Sequence, residues 1–232
     1  MSTPPRRRPT SEGGYSCGDE TSARIIEAAL RLFGEKGFEG ASTRDIAERA
    51  GVNAPALNYY FKNKEGVYLA CTEHMVACIW AHLGETLEDA QAVLDGEPDA
   101  PALMEAFWSI QLRAAEYMLM STEAHPWRLL YAREQAGLGP TSGMEQVNER
   151  IGKPIMAVNS AIIARLLGRA VVDDECAIRA ITLHGQVLPF HQTRSSTMDA
   201  LGWKTLDRER FDRLMKIVRE QTFHQLEALR RV

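Results

Sequence analysis

Pro55, Asn58, Tyr59 and Lys62 fall on one side of a short predicted helix, Ala54 to Phe61, and the turn just past it. The opposite side carries Leu57 and Phe61 at i, i+4 spacing, so those two must pack inward. Asparagine can make paired hydrogen bonds to an adenine edge. Tyrosine can reach a phosphate or stack on a thymine methyl, and lysine neutralises phosphate charge. Together these are groups for reading duplex DNA. Thr43 and Arg44 open the helix before, and Lys64 opens the helix after. At such ends the free amides and the positive end of the helix dipole favour a phosphate.

The elements that must position these side chains are legible from caps and turns. A first helix is predicted from Ser22 to Lys36, with Ile26, Ala29, Leu30 and Phe33 on one face and Gly37 as its stop. A second runs from Thr43 to Ala50. Ser42 is its N-cap, and Asp45 at the third position completes a pair resembling a capping box. Gly51 supplies the turn, because it takes positive φ without a Cβ penalty. Asn53 caps the third helix, and Asn63 caps a long fourth helix from Lys64 to Leu94. This is a helix-turn-helix, which places its second helix in a major groove. Geometry alone also admits a plain αα-corner with solvated polar residues.

With 232 residues, 45% hydrophobic and 25% charged, the chain can bury a sizeable core. Its net charge of −4 excludes a general nucleic-acid coat, so contact with DNA must be local. Residues 1–65 carry ten Lys and Arg against nine Asp and Glu, a balance of +1, while the remainder carries −5. Cys17, Cys71, Cys78 and Cys176 are too sparse for a disulfide framework. No apolar stretch follows Arg6–Arg8, and no apolar run approaches membrane-spanning length. The expectation is a soluble, cytoplasmic protein with no membrane contact, no cofactor and no bound metal.

Residues 1–20, rich in Pro, Gly and Arg, are expected to be a disordered basic arm, 21–66 the helix-turn-helix domain, and 67–232 a larger helical domain. Further helices are predicted over 102–121, over 126–136 with Pro126 as first residue, and over 144–167 with a kink at Pro154. Two more are predicted over 174–193 and 207–230. No alternating strand is present, so the fold class is all-α.

Residues 22–70 resemble the N-terminal domain of TetR-family transcriptional regulators. The likeness rests on Ala28-Ala-Leu-x-Leu-Phe33, Lys36-Gly-Phe38, Ser42-Thr-x-x-Asp-Ile-Ala47, Ala50-Gly-Val52, Tyr60-Phe61 and Lys64-Glu65-x-Val67. The family usually ends its recognition helix in Tyr-x-His-Phe. Here Asn58 stands for the Tyr and Tyr60 for the His. The resemblance implies phosphate contacts from Tyr60 and Lys64, assisted by Thr43. Asn58-Tyr59-Tyr60-Phe61, Lys64-Glu65-Gly-Val-Tyr68, Arg133-Glu134-Gln135 and Gly185-Gln186 are similar to the subgroup with a CecR-type C-terminal domain. That likeness implies a homodimeric repressor that a small molecule releases from a pseudo-palindromic operator, in a setting of drug sensitivity and export.

Four further features bear on function. Arg6–Arg8 could follow a minor groove or serve a solvated tail. A dimer interface is expected from Ala177, Ala180, Ile181, His184, Val187, Leu188 and His191 on one helix with Phe211, Leu214, Val218, Thr222 and Leu229 on the last, although both stripes could pack within one subunit. Polar and aromatic groups on apolar faces, namely Trp108, Arg113, Tyr117, Trp127, Tyr131, His184, Gln186 and His191, are candidate effector contacts. Arg133 and Glu134 are expected to form an ion pair or to be solvated. Cys71, His74, Cys78 and His82 share one face of the fourth helix and offer an alternative, metal or redox sensing. They span roughly 16 Å at 1.5 Å per residue, too far for one ion to bind all four. The remaining rivals are a helical adaptor and an enzyme, and no nucleophile-elbow, zincin or phosphate-loop pattern supports the latter.

Overall fold

The structure, a computed structural model, describes residues 14–121, 124–135 and 140–230. Arg6–Arg8 lie outside them. Helix α1, Gly14–Gly40, begins ahead of Ser22, so 14–20 is helical rather than part of an arm. No proline interrupts 14–22. Once the buried stretch from Ile25 to Phe33 nucleates the helix, each added residue costs only tenths of a kcal/mol. Gly37 breaks the helix with φ 77°, and helix resumes to Gly40.

Helix α2, Thr43–Ala50, and α3, Ala54–Phe61, have the boundaries their caps predict. The Ser42 side chain accepts from the Asp45 amide, and Gly51 closes α2 in the left-handed region at φ 67°. Ile25, Phe33, Ile46, Ala47 and Leu57 bury themselves between these three helices. The 32-residue helix α4, Lys64–Asp95, starts against them with Val67 and Tyr68. Tyr68 meets Phe33 and Phe38 edge-on, with ring centroids 5.4 and 5.3 Å apart. α4 therefore shares one core with the first three helices and continues into the larger domain.

There it packs on α5, Ala100–Met120, and on a continuous helical stretch made of α7, Thr141–Val147, a π-helical turn Asn148–Gly152, and α8, Lys153–Leu166. Where a kink was expected at Pro154, the structure places that π-turn just before it. Proline lacks an amide hydrogen and its ring crowds the carbonyl of residue 150, and widening the preceding turn relieves both. Helix α6, Ala124–Gln135, starts before Pro126 rather than at it, and lies across α1.

The stretch expected as one helix over 174–193 is divided. α9, Asp174–His184, gives way to a 3₁₀ turn at Gly185–Val187 and then to α10, Leu188–Gln192. Gly185 weakens the helix and Pro189 cannot donate to it. A further helix, α11, Arg194–Ala200, precedes α12, Arg208–Leu229. Phe211, Leu214, Val218 and Thr222 of α12 are buried against α5 and the 3₁₀ turn, with Trp108, Leu119 and Val187, and Leu229 is buried in the larger core. These five expected dimer residues thus pack within the subunit, because a stripe spaced for one apolar face is satisfied first by its own core. The apolar side chains left in water on α9 and α12 are Ile178, Ile181 and Ile217. Among the described residues there is no strand, and no helix is long and apolar enough to cross a membrane.

Candidate nucleic-acid interface and effector cavities

The outer face of α3 is bare. Pro55, Asn58 and Tyr59 are exposed, Tyr59 at 84%, while Leu57 on the inner face is fully buried. Tyr60 is exposed at its edge, 5.4 Å from Tyr59 in a T-shaped contact. Arg44 is exposed and Thr43 half-buried at the start of α2. Asn53 is partly committed, since its Oδ1 accepts from the Ala56 amide at 2.8 Å. Lys62 takes φ 64°, ψ −51°, a γ-turn in which Asn63 N–H bonds the Phe61 carbonyl at 2.7 Å. Lys64 is less free than its sequence position suggests. Its Nζ lies 4.3 Å above the Phe38 ring and 3.9 Å from a Glu39 carboxylate oxygen.

Ion pairs on the rim fix α2 on α1: Lys36 with Asp45 at 3.0 Å and Arg49 with Glu35 at 2.8 Å. The Lys36 ammonium, helped by the Ser42 amide and hydroxyl, holds the Asp45 carboxyl below its ordinary value. The junction of α3 and α4 is tight enough to require Gly66. A Cβ there would sit 2.0 Å from the Phe61 carbonyl oxygen.

Arg133 joins this unit to the larger domain. Its guanidinium donates to the carbonyls of Gly34 at 3.1 Å and Glu35 at 2.9 Å. Those carbonyls belong to the turn of α1 that the break at Gly37 leaves without regular partners. The side chain of Glu134 lies outside the described residues.

The expected effector contacts are scattered. Tyr131 and His191, 6.3 Å apart, line a cavity of about 670 Å³ between α6, α10 and α11. Gln186 borders a separate one of about 410 Å³ and donates to Thr222 at 3.3 Å. Trp108, Arg113, Tyr117, Trp127 and His184 line neither. Trp108 is core, and Arg113 bonds the His82 carbonyl at 3.2 Å and pairs with Glu116. Tyr117 stacks with His82 at 5.0 Å and Trp127 at 6.0 Å. His184 buries its Nδ1 without a hydrogen bond among the described residues, and burial lowers its pKa.

Reading from sequence missed Arg128 and Arg194. Both line the 670 Å³ cavity and an adjoining one of about 600 Å³ that reaches Arg31 and Glu35 of α1. Only their nearness in sequence to Tyr131 and His191 could have marked them.

The Cys/His stripe does not assemble. Cys71 is buried with its Sγ 3.7 Å from the Ile26 carbonyl, and burial pushes its thiol far up, against thiolate formation. Cys78 and His74 meet at 3.6 Å, and His82 turns to Tyr117. Among the described residues no three His, Cys, Asp or Glu converge on a point. The metal alternative fails on that geometry.

A left-handed glycine turn between α2 and α3, a bare outer face on α3 and a separate helical domain with cavities define a helix-turn-helix regulator with a sensory half. The chain belongs to the TetR family of transcriptional regulators. Residues 25–71 match the family described as bacterial regulatory proteins, tetR family, and residues 103–229 match the C-terminal domain of the HTH-type transcriptional dual regulator CecR. Over 205 residues the chain is 30% identical to CecR of Shigella flexneri, covering 87% of this chain and 89% of that protein. AibR, crystallised with isovaleryl coenzyme A and operator DNA, has the same fold with TM-score 0.61 at 16% identity, covering 87% and 97% of the two chains. A transcriptional regulator from Rhodococcus sp. Rha1 superposes with TM-score 0.58 at 19% identity, covering 89% and 97%. The chain is therefore a helix-turn-helix transcriptional regulator.

Proposed function

We propose that the protein is a cytoplasmic, non-enzymatic repressor. In this reading Asn58 and Tyr59 read base edges, and Arg44, Tyr60 and Lys64 hold phosphates with help from Thr43. Asn53, Pro55 and Lys62 border that surface. The observation that carries the reading is the two-sided α3, with Leu57 sealed inside and Pro55, Asn58 and Tyr59 presented to water. Two copies, joined through α9 and α12 with Ile178, Ile181 and Ile217 at the seam, would set their α3 helices about 34 Å apart, one turn of duplex. The effector is a compound linked to export or drug sensitivity. It binds the larger domain and favours a packing in which α4 and the Arg133 contact displace α3 from the groove. Release needs only that the effector bind the DNA-incompetent state more tightly.

Selection from random duplexes with the full chain tests this. The expected product is a pseudo-palindrome whose half-sites lie about one helical turn apart. Recovery of no preferred duplex would overturn the reading.

A further inference from the structure

We propose that the cavity between α12, α11 and the 3₁₀ turn is an effector site, and that its ligand is a neutral amphipathic molecule presenting a hydroxyl or N–H to Gln186. This rests on the regulator reading and adds to it a site and the ligand's chemistry.

The chemistry follows from the direction of a buried relay. Gln111 of α5 and Thr222 of α12 are fully buried. The Gln111 amide meets the Leu183 carbonyl at 2.7 Å on one side and the Thr222 hydroxyl at 3.0 Å on the other. A backbone carbonyl only accepts, so Gln111 turns its nitrogen to Leu183 and its oxygen to Thr222. Thr222 must then donate to Gln111, and towards Gln186, 3.3 Å away, it has only lone pairs to offer. Gln186 therefore gives its nitrogen to Thr222 and keeps its carbonyl oxygen. That oxygen is buried and has no hydrogen-bond partner among the described residues. The polarity of Gln186 is thus set at a distance, by a main-chain carbonyl that cannot reverse its role. A ligand with a donor completes the relay, whereas one with acceptors alone meets lone pairs.

Gln186 borders the cavity of about 410 Å³. Phe190, Trp203, Leu214 and Val218 line it with apolar surface for the ligand's body. Arg213, exposed at its edge, sets a positive charge against a cationic donor such as an ammonium. The donor that fits is therefore neutral: an alcohol, a phenol or an amide N–H. Ile217, exposed on the same cavity, also lies at the proposed seam between two copies, so a ligand seated here bears on the spacing of the two α3 helices.

Calorimetry on the full-length protein with para-butylphenol, its methyl ether para-butylanisole, para-butylbenzoate and para-butylbenzylamine tests the inference. The phenol should bind at least about ten-fold more tightly than the ether, which keeps the shape and loses the donor, and more tightly than the anion or the ammonium. Gln186→Met, which keeps the length and removes the acceptor, should bring phenol and ether within about two-fold of each other. Thr222→Val frees the Gln186 amide to turn over and should narrow the preference as well. The comparison of the four probes on the unaltered protein stands even where a variant fails to fold. The phenol should also release the selected duplex. Equal binding of phenol and ether, tighter binding of the benzoate or the ammonium, no binding of any probe, an undiminished preference in folded Gln186→Met, or phenol binding with no effect on the duplex would each overturn the inference. Duplex selection by the ligand-free protein is independent of these results, so a failure here is distinguishable from a failure of the regulator reading.

Discussion

In the N-terminal unit Ser42, Asn53 and Asn63 each accept from a backbone amide in the first turn of α2, α3 and α4, whereas in the larger half Asn159, His184, His191 and Arg194 bury polar atoms that no described residue satisfies. A buried donor or acceptor without a partner costs about 1–3 kcal/mol. The side chains proposed to read DNA, Asn58 and Tyr59, avoid that cost by standing in water. The larger half also caps its helices with Asp99, Asp173 and Asp207, but keeps these polar atoms inside.

The sharpest way to break this contrast is to open the N-terminal unit. Leu57→Ala should cost about 2–5 kcal/mol, lower Tm and abolish duplex binding together, since it hollows the buried face that seats α3. Gly66→Ala comes next. Its new methyl meets the Phe61 carbonyl, so a loss of about 1–3 kcal/mol is expected, with weaker DNA binding even where the protein remains folded. Asn58→Ala separates reading from folding. Tm should stay put, while discrimination at one base pair of the selected site falls by about 1–3 kcal/mol in competition binding. An equal loss across all sequences would assign Asn58 to phosphate instead.

Arg133→Gln tests the join between the halves. Loss of its two bonds to α1 should lower stability by about 1 kcal/mol and, more tellingly, weaken the effect of effector on DNA affinity without removing binding of either. The smallest effect is that of pH. Burial holds His184 and His191 below the ordinary histidine value of 6.5, so the unfolded chain gains protons first as pH falls. Stability should be flat above that value and decline between pH 6.5 and 5, before the lowered carboxylates Asp45 and Glu116 begin to protonate. In thermal melts at pH 7.5 and 5.5, His184→Gln should show the smaller difference.

The same contrast explains what the sequence made legible. Caps and left-handed turns are local chemistry, so Ser42, Gly51, Asn53 and Asn63 mark the bounds of α2, α3 and the start of α4 without knowledge of the fold. The start of α1 was less legible, because Gly14 to Thr21 carries no strong signal for or against helix. In the larger half an arginine on a mixed helix face reads as a solvated charge. Arg128 and Arg194 line one cavity only because α6 and α11, distant in the chain, are brought together. Periodicity likewise identifies the apolar stripe of α12 but not the neighbour it packs on, which is why Phe211 to Leu229 read as a dimer seam and proved to be core.

Helix α4 is a single 32-residue rod, about 48 Å long at 1.5 Å per residue, with its first turn wedged under α3. At that length a tilt of only about 5° sweeps one end through about 4 Å relative to the other, more than the tolerance of a hydrogen bond to a base edge. In the proposed reading, release from the operator would need no large rearrangement, only a change in the angle at which this stiff shaft leaves the larger domain.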